Sequence, residues 1–101
     1  MTPIPNDLRA RVISAYSYHS GQSAAEAARQ LMAHAVARGI RQPRRPPPGN
    51  ALTAWTRSEA KAPQWAVQAA ADWLVQHRGT TPGEAEAAAA VLALCPIDDQ
   101  A

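Results

Sequence analysis

Arg41, Arg44 and Arg45 fall within one short stretch, flanked by Arg38 on one side and by Arg57 and Lys61 on the other. A guanidinium is planar and permanently charged and carries five donors, so this grouping suits phosphate oxygens better than any covalent chemistry. Residues 29–61 carry a net charge of +6, with Glu59 the lone acid, whereas the rest of the chain carries −4. A basic middle between acidic ends points to an anionic partner for the middle; the plainer reading is a solvated charged face and a basic loop. Close behind the cluster come Asn50, Thr53, Thr56 and Arg57. Asn can bond adenine twice, Arg can bond guanine twice, and a Thr methyl can meet the thymine methyl, although a solvated helix face would use the same residue types.

Other chemistry finds little support. No nucleophile stands with a base, no carboxylate pair shares a helix face, and no glycine-rich phosphate loop is present. Glu84 and Glu86, two apart on a helix, point in different directions. His19, His34 and His77 are scattered, each reading as a helix-surface or half-buried residue, and the single Cys95 can form neither an internal disulfide nor a zinc set. The expectation is therefore a protein that is not an enzyme, with no metal, no cofactor and no small-molecule substrate. No run approaches the ~20 apolar residues of a membrane span, and the start MTPIPNDLRA lacks the apolar centre of a signal peptide, so the expected location is cytoplasmic with no membrane partner.

The elements that must position these residues read as helices. Alanine supplies 24 of 101 residues, Phe is absent and only five residues are Trp or Tyr, which favours closely approaching helices with a few large anchors. Helix periodicity predicts helix 1 over about 6–18, capped by Asn6. Helix 2 should open at a capping box, Ser23 to Glu26, bury Ala24, Ala27, Ala28, Leu31, Met32, Ala35 and Val36, and stop at Gly39. Four prolines make Arg41–Gly49 a stiff, basic, extended loop; its Pro43-Arg-Arg-Pro46 also fits PxxP, a spacing that arises by chance in Pro-rich runs. Helix 3, about 50–58, is capped by Gly49-Asn50 and buries Leu52 and Trp55. Helix 4 starts near Pro63 with Trp65, Ala66, Ala69, Ala70, Trp73, Leu74 and His77 on one stripe, and Trp55, Trp65 and Trp73 are assigned to the core. Helix 5 opens at a second capping box, Thr81 to Glu84, and runs to about Leu94 before Pro96.

The order of segments from Gln22 to Leu74 carries a family likeness. The helix opening Gln22-Ser-Ala-Ala-Glu-Ala-Ala-Arg-Gln-Leu31, the later Gly49-Asn-Ala-Leu-Thr-Ala-Trp-Thr-Arg57, and the polar turn leading through Pro63 resemble helix-turn-helix DNA-binding regulators of the phage Cro/repressor-like type. The chain departs from that family where helix 2 runs on to about Arg38 and the Pro-rich loop replaces a tight turn of three or four residues.

Length, periodicity and caps together predict a single helical domain, 1–101, of all-α class: a compact bundle of about five helices with the Pro/Arg-rich loop at 41–49 and a flexible tail at 96–101, in which the resemblance implies a modified helix-turn-helix. The resemblance also implies sequence-specific binding of double-stranded DNA by a transcription regulator of phage or prophage origin. Asn50, Thr53, Thr56 and Arg57 would read bases, and Arg38, Arg41, Arg44, Arg45 and Lys61 would hold phosphates. So small a reader implies a homodimer, with helix 5 or its apolar Val91, Leu92 and Leu94 end as the candidate interface. The competing expectation is a small phage-type accessory or inhibitor that binds a host protein. What separates the two is whether helix 3 is exposed beside the arginines or buried among the other helices.

Overall fold

The alanines decide which helix sits in the middle. In a computed structural model, which describes residues 3–97, the chain forms α1 (Asn6–Ser20), α2 (Ala24–Ala37), α3 (Gly49–Thr56), α4 (Gln64–Gln76) and α5 (Pro82–Leu94), with no strand among the described residues. Ala66, Val67, Ala69, Ala70, Ala71, Asp72 and Leu74 bury α4 on nearly every side, and it packs against α1, α2 and α5. Small side chains let three neighbours approach one axis. α3 lies outside this set and rests on α1 and α2. The all-α bundle of five helices expected from the sequence is what forms.

Local chemistry accounts for most helix ends. Thr81 and Glu84 form a complete capping box, with Pro82 as the first helical residue. The expected box at Ser23 is one-sided: the Ser23 hydroxyl accepts from the Glu26 N–H, while the Glu26 carboxylate turns instead to Arg29, 3.1 Å away. Pro5, Pro48 and Pro63 occupy the cap positions of α1, α3 and α4 without a side-chain bond, so Asn6 and Gly49 are first helical residues and not caps. The core anchors are Tyr16, Ile13, Leu31, Leu52, Leu74 and Trp55. Tyr16 donates its hydroxyl to the Ala27 carbonyl at 2.7 Å, and burial pushes the phenol well above its ordinary pKa. Trp65 and Trp73 were expected in the core but are only half-buried. Trp73 meets Tyr16 edge-on and stacks on His77.

The Pro-rich segment takes α3 somewhere a tight turn could not. After Gly39, at φ +72°, the chain leaves α2 and runs without regular structure until Gly49. There it meets the beginning of α2: a Cβ built on Gly49 would stand 2.8 Å from the Ala25 nitrogen. The segment therefore retraces α2 from its end to its start. Eight extended residues, 41–48, cover about 25 Å, enough to pass the roughly 21 Å of a 14-residue helix. In a helix-turn-helix the second helix starts where the first ends; here the two share their starting end, because the stiff strap must be spent along α2 before the chain can turn. The tail expected at 96–101 lies, from residue 98 onward, outside the described residues.

Candidate nucleic-acid interface

Leu52 and Trp55 fix α3 by one face, which determines what the other can offer. At 100° per residue, Asn50, Thr53, Ala54 and Arg57 share a stripe opposite that anchor. Asn50 and Arg57 are exposed and Thr53 is half-exposed. The Thr53 hydroxyl donates to the Gly49 carbonyl, so toward a partner it presents a methyl and acceptor lone pairs but no free proton. Thr56 falls outside the stripe. Its hydroxyl donates to the Thr53 carbonyl, and it lines a shallow hollow shared with Ala10, Arg11, Ser14, Ala15 and Tyr18 of α1. The structure thus brings Asn50, Thr53 and Arg57 together and sets Thr56 on the flank facing α1.

The five cations expected on phosphate separate into three groups. Arg44 and Arg45 on the strap and Lys61 in the α3–α4 turn are exposed, and their side chains, like that of Arg57, make no hydrogen bond or ion pair among the described residues. Arg41 lies over the Trp65 ring, its guanidinium carbon 4.8 Å from the centroid, with Nε buried and unsatisfied; a cation–π contact of this kind holds the head in place. Arg38 differs from the expectation. Its Nε donates to Asp72 Oδ2 at 2.9 Å and Nη2 to Oδ1 at 3.3 Å. His34 Nε2 lies 2.7 Å from the same carboxylate, and Gln76 donates to it at 2.9 Å. Asp72 is 4% exposed, and a buried carboxylate left alone would be costly. Arg38 supplies its counter-charge, so a phosphate would have to compete for it.

Two histidine–carboxylate pairs were missed in sequence, His34 with Asp72 and His19 with Glu84 at 2.8 Å, because the partners stand 38 and 65 residues apart. The Thr81 backbone N–H and then His19 hold the Glu84 carboxyl below its ordinary pKa. Beside the first pair lies a hollow lined by His34, Trp73, Gln76 and His77, which supplies no hydroxyl or thiol as nucleophile. Nor do the described residues group three His, Cys, Asp or Glu side chains as a metal site. None of the described helices is long and apolar enough to cross a membrane.

The expected dimer surface also shifts. Val91 is fully buried, so of the three residues expected there only Leu92 and Leu94, each half-buried, keep any outer surface. Tyr18, 79% exposed, is the most prominent apolar side chain on the surface of the described residues. The chain matches no protein-family model, no curated protein and no solved structure.

Proposed function

We propose that the protein binds double-stranded DNA, with the Asn50–Thr53–Arg57 stripe of α3 directed at the major groove, and serves as a transcription regulator of phage or prophage type. The observation that carries this reading is the pairing of an anchored, outward polar stripe with cations whose side chains pair with nothing among the described residues. Arg44 and Arg45 precede α3, Arg57 closes it and Lys61 follows it. Cations engaged with phosphate set position and supply most of the affinity, while base contacts supply preference. Arg41, clamped on Trp65, would add a phosphate contact at little entropic cost. An eight-residue α3 reaches few bases, so a homodimer on two half-sites follows, with Leu92 and Leu94 contributing to its contact.

The test is a mobility shift on genomic fragments flanking the protein's own gene, at two salt concentrations, with Asn50→Ala and Thr53→Ala beside the parent. A base-reading residue lost should cost about 1–3 kcal/mol on the preferred site and little elsewhere. A parent without preference among duplexes, or variants that bind all sequences as the parent does, would refute the reading. A second reading, an accessory or inhibitor that binds a host protein, draws on Tyr18 and the adjoining hollow, since exposed aromatic residues are enriched at protein contacts.

A further inference from the structure

Arg9 is a charged residue on the apolar stripe of α1, three, four and seven positions before Val12, Ile13 and Tyr16, and it is 8% exposed. Its Nε donates to the Ile4 carbonyl at 3.0 Å, and one terminal nitrogen donates to the Ala62 carbonyl. Those bonds satisfy part of the guanidinium but, being to carbonyls, bring it no counter-charge. No carboxylate among the described residues comes within ion-pair distance of it. An arginine cannot shed a proton to relieve burial, so an interior guanidinium calls for an anion.

Space for one lies beside it. A cavity of about 150 Å³ is lined by Arg9, Asn6, Trp55, Ser58 and Lys61 among others, and Glu59 is its only acidic wall residue. Several waters fit in that volume, and so does a tetrahedral oxyanion. Around it stand a guanidinium, an ammonium, a hydroxyl and a side-chain amide, a donor set larger than the one Glu59 carboxylate in the wall can satisfy. Asn6 is also the first residue of α1, a helix without a side-chain cap, so the positive end of that helix adds to the field. Ser58 is held at φ +59°, the only positive value outside glycine among the described residues.

We propose that this cavity binds a phosphate-type oxyanion, with Arg9 as the buried charge and Lys61, Asn6 and Ser58 as rim donors. The oxyanion has two sources, free phosphate or a phosphodiester of DNA; only the second rests on the DNA-binding reading. The cavity adjoins the end of α3, where a backbone phosphate beside the recognition stripe would lie.

The experiment follows the Arg9 Nε–H signal of the ¹⁵N-labelled full chain by NMR, since its bond to Ile4 protects that proton from exchange. Inorganic phosphate should move it saturably together with the Ser58 and Lys61 amides, and chloride at matched ionic strength should not. Arg9→Ala removes two structural bonds and is a poor probe, so Lys61→Ala is the variant: the fold should persist and affinity for phosphate should fall about two- to five-fold, as for one exposed ion pair. A short duplex that moves the same signals, and that phosphate displaces, assigns the phosphodiester; a response to phosphate alone assigns the free oxyanion and counts against DNA. An Arg9 signal that neither ligand moves, or that chloride moves equally, overturns the site, even if the duplex shifts α3 and the DNA reading survives.

Discussion

At the α2–α4 contact Arg38 grips Asp72 through two nitrogens, and His34 and Gln76 close on the same carboxylate. Six residues later Arg44 stands in solvent with no partner among the described residues. Both belong to one basic segment and look alike in sequence. What divides them is the helix beneath: α4 carries a buried acid at position 72, whereas the strap pairs with no acid among the described residues. A run of arginines therefore does not act as a unit. Its members divide into those that neutralise the interior and those whose side chains pair with nothing among the described residues.

The largest effect should come from removing the acid. Asp72→Ala removes the buried carboxylate that Arg38, His34 and Gln76 share and should lower stability by about 3 kcal/mol, the low end for a broken buried pair because Arg38 keeps some contact with water. Arg44→Ala should stay within about 0.5 kcal/mol. Urea unfolding of the two variants sharpens the comparison if they differ so, and breaks it if their midpoints coincide.

Gly49→Ala comes next and tests the path of the strap by sign. Alanine normally favours a helix by about 1 kcal/mol over glycine. Here its Cβ would press on backbone atoms of Ala24 and Ala25, at 2.8 to 3.2 Å, which cannot swing aside. A loss of about 1–3 kcal/mol is expected; a gain would mean that α3 does not start against α2.

A smaller effect is expected at the opposite end of α1, where His19 and Glu84 meet. Because the Glu84 pKa is lowered on folding, its stabilising bonds are fully present above the unfolded value and are lost as pH falls through the folded one. The Thr81 amide shift should titrate with a midpoint below 4.5, the ordinary value for this group, and Glu84→Gln should abolish that titration while leaving Arg38–Asp72 intact. A midpoint at or above 4.5 would contradict the bonding seen at the α5 cap.

Much of the fold was legible because caps and periodicity are local. Thr81 to Glu84, Gly39, and the spacing of Leu52 and Trp55 each announce themselves within a few residues. The central place of α4 was less so: Trp65 and Trp73 drew attention as anchors, yet the alanines between them admit the neighbouring helices, and the indoles end at the rim. Arg9 carries a usable signal, a charge on an apolar stripe, while Asp72 lies beside Gln68 and Gln76 and carries none; the partners of both are tertiary, the Ile4 and Ala62 carbonyls for the first and Arg38 and His34 for the second. The strap was legible as a stiff loop, and its length even exceeds α2, but its direction depends on Gly49 fitting against Ala25. For the interface, helical spacing alone places Asn50, Thr53 and Arg57 together; the position of Thr56 depends on α1, which that spacing does not contain.

The central proposal, that Arg44 and Arg45 engage phosphate while Arg38 stays on Asp72, is tested most directly by the salt dependence of duplex binding. Fluorescence anisotropy across a salt series should give a log–log slope that falls by about 1.8 when Arg44 and Arg45 are both changed to Ala, near 0.9 for each lost phosphate contact, with stability unchanged. An unchanged slope, or a parent that binds no duplex at low salt, would contradict it.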